Sequence, residues 1–138
     1  MINYINTLNW GSIALAFIIY FVLGALWFTT IFKKSYEEAL GKVGQLPDRP
    51  KPIFVIGPAI CTFIITFATA ILINVLDISS LFSTIEFASV VGIGYLVANT
   101  VNIAINPNIP NPLHYSFITG SYHLLGIYII SFVLVYMR

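Results

Sequence analysis

The sequence predicts an all-α, integral membrane bundle of four transmembrane helices, and three observations carry that prediction. Of the 138 residues 59% are hydrophobic and only 8% charged, with a mean hydropathy of +0.94. Soluble chains run nearer about 45–50% apolar and about 25% charged, so the surplus has to face lipid. The charges are also clustered, because Phe87 to Met137 contains no Asp, Glu, Lys or Arg. Finally, the uncharged stretches approach or exceed the roughly 20 residues that a helix needs to cross a hydrocarbon core. Together these imply a single membrane domain over 1–138. A net charge of +1 leaves no basic surface for nucleic acid. The single cysteine, Cys61, rules out a disulfide framework or a CxxC metal site within one chain.

The first span is read over about 10–32. Lys33 and Lys34 follow it rather than precede it, which argues against a cleaved signal peptide. The segment KKSYEEALGKVGQLPDRPK (33–51) holds five of the six basic residues, so the positive-inside rule places it in the cytoplasm. Within it, SYEEALGKVG is expected to form a short amphipathic helix ended by Gly41 or Gly44. The second span covers about 52–76, with Gly57-Pro58 near its cytoplasmic start. The loop DISSLFSTIE (77–86) carries two acids and no base and belongs outside. A third span runs over about 87–106 and stops at NPNIPNP (106–112), whose prolines remove donors and disfavour helix before each of them. The fourth covers about 113–137. Alternation then places both termini outside, Arg138 included. No break within a span is visible.

Polar residues single out one face of each helix. Tyr95, Asn99, Asn102 and Asn106 fall within about 60° of one another at about 100° per residue. Amides facing hydrocarbon would leave hydrogen-bonding groups unsatisfied, so this stripe is expected to face protein or water. Ser116, Gly120, His123 and Ser131 share a face of the fourth span; Thr62, Thr66 and Thr69 do so on the second, and Tyr20, Gly24 and Trp27 on the first. His123 should therefore point inward and bond to an amide or hydroxyl of the third span, with Gly24 and Gly120 as packing positions. Tyr122 is rotated about 100° from His123, which argues against their serving one pocket. His123 admits two roles, a neutral packing residue or a polar group on a proton or solute path. His114, at a turn-to-helix boundary, reads as interfacial and lies about 13 Å along the helix from His123, too far to share a metal.

Two stretches bear a family likeness. FVLGALWFTTIFKKSY (21–36), and GYLVANTVNIAI joined through the proline turn to FITGSYHLLG (94–126), resemble the DUF1761 family of small bacterial four-span membrane proteins, whose name declares an unknown function. The resemblance singles out Gly24, Trp27, Lys33, Asn102, Tyr122 and His123 as pattern positions without giving them roles. It implies a bacterial cytoplasmic (inner) membrane setting. The chain departs from the pattern at Thr29-Thr30, where a proline-containing turn is expected, and in NPNIPNP, which lacks charge.

The functional expectation is a small channel or transporter-like protein with a polar intramembrane cavity around His123, formed with Tyr122, Asn99, Asn102, Tyr95 and Trp27. It would bind or pass a small solute or proton. The alternative is a structural or accessory protein whose polar residues only pack helices. An enzyme is disfavoured, since no intramembrane acid is available to orient a histidine base. No cofactor and no metal are expected. The partners are the lipid bilayer and, from the small size of one protomer, further copies of the chain.

Overall fold

The computed structural model describes residues 2–45 and 51–137. Arg49 of the basic segment and the terminal Arg138 lie outside the described residues. Every regular element among those described is helical. After a short 3-10 turn (Ile2–Thr7), α1 (Trp10–Leu26) starts at Asn9, whose side chain accepts from Gly11 N–H at 2.9 Å and Ser12 N–H at 3.2 Å. Asn is a preferred residue there because it satisfies amides that have no partner within the helix. The helix runs on through a π turn, Trp27–Ile31, giving a continuous apolar Trp10–Ile31.

The short helix α2 (Lys33–Ala39) forms as expected, and Gly41 rather than Gly44 ends it. Gly41 adopts φ +66°, its N–H bonds to Glu38 O at 3.1 Å, and Lys42 N–H bonds to Glu37 O at 2.9 Å. This is a Schellman cap, and glycine takes its left-handed conformation without a Cβ penalty. The second span is α3 (Ile53–Val75), with Pro58 inside it.

The third span is built from α4 (Leu81–Val91), a second π turn (Gly92–Val97) and α5 (Ala98–Ala104). It starts at Leu81, earlier than the charge at Glu86 suggests. The Ser80 hydroxyl accepts from Ser83 N–H at 3.1 Å and Ser83 Oγ accepts from Ser80 N–H at 3.2 Å, so a reciprocal cap sets the boundary. Glu86 is exposed on the helix flank. The proline-rich turn is present, and Pro112 opens α6 (Pro112–Tyr136), where its missing N–H costs nothing.

The four long helices Trp10–Ile31, Ile53–Val75, Leu81–Ala104 and Pro112–Tyr136 meet the length and apolarity needed to cross a membrane. Of these, α6 is central: half of its most apolar window is buried, against 22–28% for the other three. At one end of the bundle Asn9 Nδ2 donates to Met137 O at 2.8 Å, joining the start of α1 to the end of α6. At the other, Asn111 donates from Nδ2 to Glu38 O at 3.1 Å and from its backbone N–H to Ala39 O at 3.3 Å. The basic segment and the proline turn therefore share one end of the bundle, and the described chain termini share the opposite one.

Candidate functional site

The site begins with a repeated local pattern. YFVLG (20–24) in α1 and YHLLG (122–126) in α6 each place a tyrosine one helical turn before a glycine. The helices pack antiparallel, and the two pairs interlock. Tyr20 lies against Gly126, where an added Cβ would fall inside its ring, and Tyr122 lies against Gly24, where a Cβ would come 2.7 Å from the phenol oxygen. The two tyrosine rings stand 5.2 Å apart, and Tyr20 is completely buried. Ile13, Ala16, Ile127 and Ile130 fill the core around them at 0–1% exposure. Small residues at such contacts let helix backbones approach and gain dispersion contact where lipid offers no hydrophobic driving force.

This seam positions His123. Its Nδ1 lies 2.7 Å from the Tyr20 hydroxyl, which belongs to α1 and not to the third span. The bond is satisfied when Tyr20 donates and Nδ1 accepts, leaving the ring proton on Nε2. In the opposite tautomer Nδ1–H donates to the Tyr20 oxygen, and the Tyr20 hydrogen turns to the neighbouring Tyr122 hydroxyl instead. Nε2 has no protein partner among the described residues. His123 and Tyr122 thus both converge on Tyr20, and adjacency in sequence becomes proximity at one site, contrary to the rotation argument. A tyrosine is long enough to reach across the seam from a flank that a helical-wheel angle assigns elsewhere.

Beside the seam a cavity of about 750 Å³ opens between α1, α3 and α6. Near the start of α1 the first two spans touch through Trp10 and Phe67, stacked at 5.7 Å, and Phe17 and Phe63, edge-on at 5.7 Å. Towards α2 they diverge, and Phe21, Ala25 and Phe28 face Phe54, Gly57 and Ile65 across the gap. Ala25, Phe54 and Cys61 are exposed at its rim, so it opens sideways between α1 and α3. Pro58 offers the Phe54 carbonyl no helical donor. Along α6, Tyr115, Thr119 and His123 follow at steps of four and line the cavity. Thr119 Oγ1 is buried without a hydrogen-bond partner. Tyr36 of α2 packs on Tyr115 at the cavity's outer end, with ring centroids 5.7 Å apart. Burial and the Tyr115 phenol beside it raise the Tyr36 pKa above the usual phenol range, so its hydroxyl stays protonated.

Other expected site residues go elsewhere. Trp27 donates from Nε1 to Ile118 O at 3.0 Å and packs at a tilt on Phe32, so it ties the end of the first span to α6 rather than lining the cavity. Gly24 lies against the Tyr122 ring. Gly120 is not in close contact, because a Cβ there would meet Val97 at an ordinary 3.5 Å. Gly92 is closer, with Ile127 and Leu124 atoms 2.8 Å from an added Cβ. The threonine face of α3 is buried and self-satisfied, Thr62, Thr66 and Thr69 bonding back to the carbonyls of Pro58, Thr62 and Ile65. His114 is exposed near the start of α6.

The third-span stripe needs the largest correction. Tyr95 is 70% exposed, and Asn99 and Asn102 are also exposed, away from His123. The π turn Gly92–Val97 is the reason. In an unbroken α-helix that buries Thr84 and Ala88, Tyr95 and Asn99 would return to the buried face, being seven and eleven residues past Ala88, within about 20° of it. A π turn takes up an extra residue and rotates the rest of the helix by about 100°. Thr100 and Ala104 become the buried positions instead, and Asn106 caps its own turn by accepting from Asn108 N–H at 2.8 Å. Gly126 and Thr119, which with Tyr20 complete the observed site, were missed from the sequence, although the repeated Tyr-x-x-Leu-Gly and the Tyr115-Thr119-His123 spacing are the signals that mark them.

Among known proteins, none of the curated ones and none of the solved structures matches the chain. The family model DUF1761, described as a protein of unknown function, matches residues 12–135, from the first turn of α1 to the last of α6. The match includes both interlocking tyrosine–glycine pairs and His123, and the chain belongs to the DUF1761 family.

Proposed function

We propose that the protein is a small transporter-like membrane protein that takes a neutral amphipathic molecule from the bilayer into the α1–α3–α6 cavity. One observation carries the reading: His123, fixed through Nδ1 by Tyr20, borders a sideways-opening cavity with its Nε2 unpartnered among the described residues. The Nε2 hydrogen would donate to an acceptor on the occupant, and Thr119 Oγ1 supplies a second polar group one turn away. The lining contains no Asp, Glu, Lys or Arg, which favours a neutral polar end over an ion. Aromatic and aliphatic walls with a few convergent polar groups are the usual make-up of a small-molecule site. Most third-span amides lie away from this cavity, so a polar pore through one protomer has less support than a binding cavity.

The proposed setting is the bacterial cytoplasmic membrane, with Lys33, Lys34, Lys42 and Lys51 on the cytoplasmic side. The reading includes self-association, since 138 residues leave little interior for a pathway of their own. A second reading, a structural or accessory protein, is favoured by the back-bonded threonines and the interlocked seam, which need no ligand to explain them.

A photolabelling experiment separates the two. In liposomes, a long-chain methyl ketone carrying a diazirine should label residues of the 21–29, 53–65 and 115–123 segments. His123→Leu with Thr119→Val should cut that labelling by about tenfold, the equivalent of 1.4 kcal/mol. Labelling spread evenly over all lipid-facing helices, and unchanged in the double variant, would remove the cavity reading and leave the structural one.

A further inference from the structure

The outward face of the third span combines features that a lipid-facing surface has reason to avoid. Tyr95 stands near the middle of Leu81–Ala104 with 70% of its surface exposed, and Asn99 follows one turn on, also exposed. The amides are not satisfied within the protomer: Asn99 and Asn102 have no hydrogen-bond partner among the described residues, unlike the other intramembrane hydroxyls and amides, which mostly bond back to their own helices. In hydrocarbon such groups need partners. Two small residues of the span lie beside them. Gly94 has no atom within 4 Å of where a Cβ would stand, and Ala98, one turn further, is exposed.

The π turn is what presents this face. Without its extra residue Tyr95 and Asn99 would be buried in the bundle, and the turn brings them to the surface. A surface of Gly94 and Ala98 flanked by amides is suited to another helix, because small residues allow close approach and amides bond across the contact. The chemistry also selects the partner. An amide is donor and acceptor at once, and the strip carries no charge, so it complements a copy of itself. A two-fold axis along the membrane normal brings equal depths together, pairing Asn99 and Asn102 with their counterparts in an isologous contact.

We propose that a second copy of this chain covers this face, forming a two-fold dimer through Gly94, Tyr95, Ala98, Asn99 and Asn102. The proposal specifies the self-association in the functional reading above, and it does not depend on what the cavity binds.

The test uses full-length protein in liposomes with Cys61→Ser as background, since Cys61 is exposed and would cross-link on its own account. Ala98→Cys and Asn102→Cys should each give symmetric disulfide dimers on mild oxidation. Ile64→Cys, also exposed on α3, should give at least about tenfold less, as should Ala98→Cys once Asn99 and Asn102 are both replaced by leucine. Asn99→Leu with Asn102→Leu, counted by single-molecule photobleaching across protein-to-lipid ratios, should shift the monomer–dimer midpoint by about tenfold towards monomer. Equal cross-linking at positions 98 and 64 would overturn the proposal. So would cross-links from 98 and 102 that, in native membranes, join only a different protein. Because methyl-ketone photolabelling reads the cavity separately, loss of the dimer with labelling intact would count against this face alone. A dimer without labelling would support it.

Discussion

The first span meets its neighbours along two edges, and they are built on opposite principles. Against α6 it interlocks: Tyr20 fills the space over Gly126, Tyr122 fills the space over Gly24, and the Tyr20 hydroxyl is consumed by His123. Against α3 it touches through Trp10 and Phe17 at one end and then parts company, leaving about 750 Å³ between Phe21–Thr29 and Ile53–Ile65. The contrast locates where specificity is invested. Around Tyr20 the polar groups are paired and volume is filled; at the gap Thr119 Oγ1 and His123 Nε2 are left without protein partners among the described residues and volume is open, while Ser131 Oγ, on α6 but outside the cavity, is likewise buried without a partner.

Substitutions can sharpen or break this contrast. The largest effect is expected at Gly126→Leu, which forces a side chain into the Tyr20 ring with backbone on one side and no route for relaxation. It should destabilise the protein by about 3 kcal/mol in a reversible unfolding assay in detergent, and Tyr20→Leu introduced with Gly126→Ala should recover part of that loss. Next comes Tyr20→Phe, which keeps the packing and removes the hydroxyl. About 1–2 kcal/mol should be lost in the same assay, and methyl-ketone labelling of the cavity should change because His123 can now rotate or switch tautomer. A fall in stability with labelling untouched would separate seam from cavity more completely than the proposal allows.

Smaller effects are expected away from the seam. Gly120→Ala should lie within about 0.5 kcal/mol of wild type, the ordinary contact with Val97 being offset by alanine's better helix propensity. A loss of more than about 2 kcal/mol, the range of overpacking, would restore Gly120 as a close-packing position. The smallest change in stability should come from Gly57→Phe, because a side chain at position 57 meets open space, with Ile53 Cδ1 at 3.9 Å. It should leave stability within about 0.5 kcal/mol while lowering cavity labelling by about tenfold.

Much of the fold was legible because membrane constraints are coarse. Length, apolarity and the prolines of NPNIPNP located four helices, since in hydrocarbon the backbone must satisfy itself. Gly41 ended α2 as a glycine should. The start of the third span was not legible from charge, because the Ser80–Ser83 cap sets it and Glu86 is tolerated on an exposed flank.

The candidate site was legible only in part, and the reason is phase. A helical wheel assumes about 100° per residue throughout, and the π turn at Gly92–Val97 breaks that assumption, moving Tyr95, Asn99 and Asn102 from inside to outside. No residue in GIGYLV announces a π turn unambiguously. His123 stood out in the sequence as the central polar group, yet its partner comes from α1, because side-chain length and antiparallel register, not angle alone, decide what meets across a seam. The repeated Tyr-x-x-Leu-Gly contains that register.

The measurement that tests the central claim most directly is solid-state ¹⁵N NMR of His123 in lipid bilayers, assigned with His123→Gln and compared with Tyr20→Phe. The account requires Nδ1 to be unprotonated and hydrogen-bonded, Nε2 to carry the proton, and the Nδ1 signal to move when Tyr20 loses its hydroxyl. A proton on Nδ1, or an Nδ1 signal indifferent to Tyr20→Phe, would contradict it, since His123 would then not be held by the seam to present a donor to the cavity.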